Sequence, residues 1–122
     1  MIIKHLWKIK QPYNVPVAGQ LAAQVSLADR ERLLTNVARI VDERDKFYAT
    51  LHQFDWLEPY PSRSNFILCK VKGHRALEVK QKLVEQGVLV RYYNSPGLSD
   101  HLRFSIGTPD QMARLAEALG HI

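Results

Sequence analysis

The chain has 122 residues, 46% of them apolar, which is typical of one globular domain with a hydrophobic core. Its formal net charge of +5 is compatible with a nucleic-acid partner, an anionic ligand or a solvated basic surface. No apolar run reaches about 18 residues, so the sequence predicts neither a transmembrane helix nor a membrane partner. A single cysteine, Cys69, excludes an internal disulfide framework and indicates a reducing, cytoplasmic location.

The first half of the chain predicts two helices. Pro16 suits the first turn of a helix of small residues that runs to about Ser26. Asp29 is a good N-cap for a second, longer helix. Seven apolar side chains recur at helical spacing in the second helix and form one apolar face: Leu33, Leu34, Val37, Ile40, Val41, Phe47 and Leu51.

The second half predicts three strands and two further helices. Pro59 and Pro61 are expected to end any regular structure before the first strand. The strands are predicted over Phe66 to Val71, Val88 to Tyr93 and His101 to Gly107. One helix is predicted from Arg75 to Gln86, with Gly87 after its end, and another from the cap Thr108 through Pro109 to about Leu119.

The order α-α-β-α-β-β-α predicts an α+β fold. We expect a small sheet of about three strands with helices packed on one face. The first two strands are joined by a helix, so they are predicted to run parallel through a right-handed crossover. The second and third strands, separated by the turn residues NSPG, are predicted to form an antiparallel hairpin.

The sequence lacks common motifs for metal binding, phosphate binding and nucleophilic catalysis. None of the five histidines forms an HxxxH pair, and Cys69 has no close partner at metal-ligand spacing, so no metal site is predicted. The phosphate-binding patterns GxGxxG and GxxxxGK[ST] and the nucleophile pattern GxSxG are missing. We interpret Cys69 as a small core residue. No catalytic residue is predicted within this chain.

Two arginines are the candidate site. If the strands alternate and the hairpin forms, Arg91 and Arg103 lie near each other on one face. Two neighbouring guanidinium groups repel unless an anion lies between them, and a carboxylate or phosphate accepts bidentate hydrogen bonds from such a pair. The alternative is that each arginine pairs with a surface acid such as Asp100 or Asp110, or is solvated.

The residues alone leave the partner open. Tyr92 and Tyr93 beside basic residues could stack on RNA bases, but the strand signature of RNA-recognition modules is absent, and we predict no nucleic-acid partner. A ligand-sensing domain with a ferredoxin-like sheet is compatible with the pattern. The sequence therefore predicts an anion-binding α+β domain, and one alternative is a free-standing, non-catalytic domain that binds a small anionic metabolite.

Four segments, taken in order, resemble the C-terminal part of histidinol-phosphate aminotransferases: KIKQPYNVPVAGQLAA, YPSRSNFIL, EQGVLVRYYN and HLRFSIGTPDQMARLAEAL. The resemblance covers the chain from about Ile3. It implies the small domain of a homodimeric, pyridoxal-phosphate-dependent enzyme of fold type I. That family interconverts histidinol phosphate plus 2-oxoglutarate and imidazole-acetol phosphate plus glutamate in histidine biosynthesis.

The resemblance also implies roles for individual residues. Arg103, in LRFSIG, matches the arginine that grips the substrate carboxylate or its phosphate equivalent, and Arg91, in GVLVR, matches a second arginine that holds the substrate phosphate. Tyr13 and Asn14 look like a hinge. We therefore predict a hinge or linker over residues 1–14 from a missing N-terminal large domain, and the small domain over residues 15–122. The Schiff-base lysine and the cofactor contacts have no match here, so the 122 residues alone are predicted to be inactive.

Overall fold

The computed structural model describes residues 2–10 and 15–122. Its elements are α1 (Ile2–Ile9), α2 (Val17–Ala28), α3 (Arg30–Leu51), β1 (Leu57–Pro59), β2 (Phe66–Val71), α4 (Ala76–Glu85), β3 (Arg91–Tyr92), β4 (His101–Ser105) and α5 (Pro109–Leu119). The chain divides into two compact units, Met1–Thr35 and Asn36–Ile122. The predicted α+β class is confirmed. None of the helices described is long and apolar enough to cross a membrane.

The first unit consists of helical segments with little interior of their own. No residue of α1 or α2 is buried. α2 begins after the cap residue Pro16 and continues to Ala28, slightly beyond the predicted end. α1 lies in the segment predicted as a hinge or linker, and the sequence pattern did not predict this helix. Tyr13 and Asn14, the residues predicted to form a hinge, fall outside the described residues, and the boundary at residue 14 stays a prediction.

The second unit is built around a four-stranded antiparallel sheet of order β1-β2-β4-β3. β2 and β3 both run antiparallel to β4, so they are parallel to each other, as predicted, but β4 lies between them. The hairpin of β3 and β4 is also confirmed. Two strands are shorter than predicted: in β3 only Arg91 and Tyr92 pair, instead of Val88 to Tyr93, and β4 ends at Ser105 instead of Gly107.

The prediction of about three strands missed β1. Pro59 is the last residue of β1 and pairs with Cys69 of β2, so regular structure ends at this proline, as expected. Pro59 can belong to the strand because β1 lies at the edge of the sheet. A proline has no backbone N–H to donate, and an edge strand tolerates it where one side needs no partner.

The core lies on one face of the sheet, where α3, α4 and α5 contribute side chains to a single cluster. β2 alternates, and Ile67, Cys69 and Val71 point into this cluster. Phe104 of β4 meets Phe47 of α3 edge to face, with ring centroids 6.2 Å apart. Cys69 is fully buried, which confirms its place as a core residue, and this burial raises the pKa of its thiol to about 12.

Helix ends in the second unit follow the predicted signals. Gly87, directly after the cap residue of α4, has a φ of +75°, a left-handed conformation that favours glycine. α5 begins at Pro109, and Thr108 and Gln111 form a reciprocal capping box in front of it. These short-range signals determine where α4 ends and where α5 begins.

The apolar face of α3 is buried only at its C-terminal end. Phe47 and Leu51 are buried in the core. Further toward the N-terminus, Leu33 is 38% exposed and Val37 is 54% exposed. The face therefore continues as an uncovered apolar stripe, whose exposed members are Leu33, Leu34, Val37 and Val41.

Candidate anion-binding site

The two candidate arginines lie directly opposite each other. In the β3–β4 pairing, Arg91 is the partner of Arg103, and the adjacent pair is Tyr92 with Leu102. Directly paired residues project to the same face of an antiparallel sheet. Leu102 is fully buried on the core side, so the arginine pair lies on the opposite face, away from the helices.

Two aromatic rings contact this arginine pair. The guanidinium carbon of Arg103 lies 5.0 Å from the ring centroid of Phe66 and 5.9 Å from that of Tyr93. The guanidinium carbon of Arg91 lies 5.3 Å from the same Tyr93 ring. These distances are within the range of cation–π attraction. Tyr93 therefore touches both arginines and Phe66 touches one of them.

The arginine pair is not neutralised within the part of the chain that the structure describes. No ion pair to Arg91 or Arg103 is found there, and the Nε of Arg103 is buried without a hydrogen-bond partner. Of the two acids considered as alternatives, Asp100 contacts His101 and Lys70. Like charges directly opposite on a sheet are destabilising, so the arrangement favours an anion between the two guanidinium groups.

A histidine forms a second polar cluster on the same strand. His101 is 7% exposed and is the one buried polar side chain in the described ranges. Its Nδ1 lies 2.6 Å from Asp100 Oδ1, a close polar contact without the alignment of a hydrogen bond. Its Nε2 lies 3.2 Å from the hydroxyl of Tyr60. The rings of Tyr60 and His101 also stack, with centroids 5.6 Å apart.

The surroundings of Asp100 lower the pKa of its carboxyl group. Burial raises the pKa of Asp100, but a hydrogen bond from its own backbone N–H, the neighbouring His101 and the ammonium of Lys70 together bring this pKa below its ordinary value of 3.8. Lys70 lies 3.5 Å from Asp100 and is the cross-strand partner of His101. The carboxylate is therefore held in its charged form beside two basic groups.

The sequence predicted the two arginines as the site. It did not predict that Phe66 contacts Arg103, or that Tyr60 and His101 form a polar cluster on the same face of the sheet. The alternation of β4 was the available signal for His101, because residues two apart on a strand share a face. The contact of Phe66 with Arg103 depends on the pairing of β2 with β4, which are separated by a helix and a further strand.

The described residues do not fit a pyridoxal phosphate site of their own. A lysine that forms a Schiff base is activated by a desolvated pocket. The lysines here are exposed or half-buried, and three of them, Lys46, Lys70 and Lys72, lie within 4 Å of carboxylates. No group of three or more potential metal ligands occurs among the residues in the described ranges.

Comparison with known proteins defines the class of protein. The family model for aminotransferases of class I and II matches residues 1–119, and the chain belongs to this family. Histidinol-phosphate aminotransferase from Dehalococcoides mccartyi (strain 195) is 43% identical over all of this chain, which covers 34% of that protein. The chloroplastic histidinol-phosphate aminotransferase 1 of Arabidopsis thaliana is 44% identical over 97% of the chain, which covers 28% of it. The predicted resemblance is confirmed, and the chain spans about a third of the length of these relatives.

Solved structures share the fold. The histidinol-phosphate aminotransferase of Clostridium acetobutylicum superposes with a TM-score of 0.82 at 22% identity, over 92% of this chain and 34% of that one. The same enzyme from Sinorhizobium meliloti, in complex with pyridoxal-5'-phosphate, gives 0.77 at 24% identity, over 97% and 33%. L-threonine-O-3-phosphate decarboxylase from Porphyromonas gingivalis gives 0.83 at 24% identity, over 98% and 38%. The predicted fold of a fold type I aminotransferase is thereby confirmed.

Proposed function

We propose that this chain is the small domain of a histidinol-phosphate aminotransferase and that Arg91 and Arg103 bind the anionic group of the substrate. The observation that carries the proposal is the direct cross-strand pairing of the two arginines, with no acid partner among the described residues. The relatives named above are histidinol-phosphate aminotransferases, which supports histidinol phosphate as the substrate and a role in histidine biosynthesis. 2-Oxoglutarate would be the amino acceptor, as the family resemblance implies. Residues 1–14 would then form the hinge and residues 15–122 the small domain.

The binding chemistry follows from the two guanidinium groups. Each presents a planar fork of N–H donors that matches the oxygens of a carboxylate or a phosphate. Arg91 is exposed, whereas Arg103 is half-buried. An anion between them would remove their mutual repulsion and satisfy the buried Nε of Arg103. The rings of Phe66 and Tyr93 would orient the planes of the two guanidinium groups before the anion arrives.

The remainder of the reaction would be carried out elsewhere in the enzyme. Pyridoxal phosphate, which accepts and returns the amino group when bound, would be held by residues outside this chain. The chain's own contribution is to bind and orient the substrate anion, and the 122 residues alone would be inactive. In the complete enzyme, proposed to be a homodimer, closure of this domain would exclude water from the site.

The exposed apolar surface favours a small domain over a free-standing anion-binding domain. α1 and α2 contain no buried residue, and Trp7 and Val17 are 67% and 81% exposed. Ordering helices without burying apolar side chains loses conformational entropy with little compensation. We propose that the missing N-terminal large domain covers these helices and the exposed stripe of α3.

The experiment that tests the proposal is steady-state kinetics of the complete enzyme carrying Arg103→Ala. A charge-assisted hydrogen bond contributes about 1.5–3 kcal/mol, so kcat/KM for histidinol phosphate should fall about 10- to 150-fold. Arg103→Lys should also lower it, because the planar fork is lost. Arg75→Ala is the matched control, since Arg75 is exposed beside α4 and pairs only with Glu78 among the described acids. An unchanged kcat/KM for Arg103→Ala would contradict the assignment.

A further inference from the structure

We propose that His101 is a positioning residue, which together with Tyr60 and Asp100 fixes the part of β4 that carries Arg103. The inference deepens the proposed function and rests on it, because it concerns the same anion-binding site. His101 lies two residues before Arg103 on β4 and on the same face of the sheet.

The cluster joins two separate segments of the second unit. Tyr60 follows β1, and the adjacent residues Asp100 and His101 lie where the connection from β3 enters β4. Backbone hydrogen bonds to β2 stabilise the same region of the sheet. The N–H of Tyr60 donates to the carbonyl of Leu68 at 2.9 Å, and the N–H of Val71 donates to the carbonyl of Asp100 at 2.8 Å. The histidine thus ties the end of the site-bearing strand to the edge of the sheet.

Arg103 needs such support because little else in the described structure holds its side chain. It has no ion pair there, and its Nε has no partner. Aromatic contacts orient the guanidinium plane but tolerate sliding along the ring. The position of the guanidinium group therefore depends on the backbone of β4. A displacement of about 1 Å in a binding constellation lowers its efficiency markedly.

The burial of His101 also supports a positioning role. Burying an imidazole gives up its hydration, and both nitrogens have polar neighbours, with Asp100 on one side and Tyr60 on the other. An apolar side chain could fill the space without this requirement. The contact of Nε2 with the Tyr60 hydroxyl and the stacking of the two rings together orient the imidazole, and an apolar side chain would lack the polar contact.

The test compares variants of the complete enzyme. Tyr60→Phe keeps the stacked ring and removes only the hydroxyl contact with His101. A neutral hydrogen bond contributes about 0.5–1.5 kcal/mol, so we expect KM for histidinol phosphate to rise about 2- to 12-fold while kcat changes little. His101→Leu should raise KM further, and His101→Gln, which keeps polar contacts, should restore part of the loss.

The control is Tyr48→Phe. Tyr48 also packs against a histidine, His52, with ring centroids 4.7 Å apart, but its hydroxyl makes no hydrogen bond to the residues described. It should leave KM unchanged. Tyr60 is 40% exposed, so Tyr60→Phe should fold even if His101→Leu does not.

The outcomes separate the two proposals. A lower Tm with unchanged KM in Tyr60→Phe and His101→Gln would overturn the positioning role and leave His101 as a structural residue. A normal KM in Arg103→Ala would refute the anion site itself, and the positioning role with it. A raised KM in both Arg103→Ala and Tyr60→Phe, with Tyr48→Phe unaffected, would support both.

Discussion

Removing one of the two paired arginines should stabilise the isolated chain. Like charges directly opposite on neighbouring strands cost about 0.2–1 kcal/mol, and Arg91 is exposed, so we take about 0.5 kcal/mol for its repulsion from Arg103. For a chain of 122 residues, that free energy corresponds to about 2 °C in Tm. Arg91→Met removes the charge and keeps an unbranched side chain beside Tyr93.

The assay is thermal unfolding followed by circular dichroism at low ionic strength, with and without inorganic phosphate. Without phosphate, Arg91→Met should unfold at the higher temperature. Phosphate at about ten times its Kd should stabilise the wild type by about 1.4 kcal/mol, which exceeds the repulsion. The order of the two Tm values should therefore reverse at high phosphate when sodium chloride keeps the ionic strength constant.

Salt and a second arginine provide the controls. At about 1 M sodium chloride the Debye length is about 3 Å, so the advantage of Arg91→Met should disappear. Arg75→Met removes an equal charge but breaks the exposed pair with Glu78, so its Tm should stay the same or fall. A lower Tm for Arg91→Met at low salt without phosphate would refute the predicted repulsion, since the arginine pair would then be favourable on its own.

Three further predictions concern stability and reactivity. Phe104→Ala, in the centre of the core, should lower the free energy of unfolding in urea by about 3–5 kcal/mol. The control Leu89→Ala, at an 83% exposed site, should change it by less than about 0.5 kcal/mol. Equal losses in the two variants would contradict the described core. The Cys69 thiol should resist a thiol reagent at pH 8 until urea unfolds the protein, because it is buried and its pKa is raised to about 12; rapid native labelling would contradict this. The pKa of Asp100 is lowered in the folded state, so its contribution to stability is present above its ordinary pKa of 3.8 and is lost as pH falls below that value. In Asp100→Asn, Tm should therefore fall less steeply at acid pH than in the wild type. An unchanged acid dependence of Tm would contradict the described cluster.

Local sequence signals were sufficient for much of the second unit. β2 and α5 were predicted almost to the residue, because alternation and the capping residues Thr108 and Pro109 act within a few positions. β1 could not be predicted in the same way. Its three residues form a strand only through pairing with β2, and Pro59 is a signal against a strand everywhere except at an edge.

The contacts of the candidate site likewise divide into those that local sequence signals predict and those that depend on tertiary packing. The pairing of Arg91 with Arg103 follows from a hairpin, which is a local structure. The contact between Phe66 and Arg103 and the stacking of Tyr60 on His101 require the strand order β1-β2-β4-β3. That order results from tertiary packing, and no spacing in the sequence specifies it.

The apolar face of α3 shows a further limit. Its periodicity predicted the face correctly, but the pattern is the same for the buried Phe47 and the exposed Val37. Periodicity tells which side of a helix is apolar and does not tell what covers it. A covering large domain, as proposed above, would bury the exposed part of this face in the complete aminotransferase.

The most direct test of the proposed anion site is a crystal structure of the complete enzyme with histidinol phosphate bound. We expect one anionic group of the substrate to accept hydrogen bonds from the guanidinium groups of both Arg91 and Arg103, at about 2.7–2.9 Å. An anionic group held by other residues, with Arg91 and Arg103 turned to solvent, would contradict the assignment of both arginines.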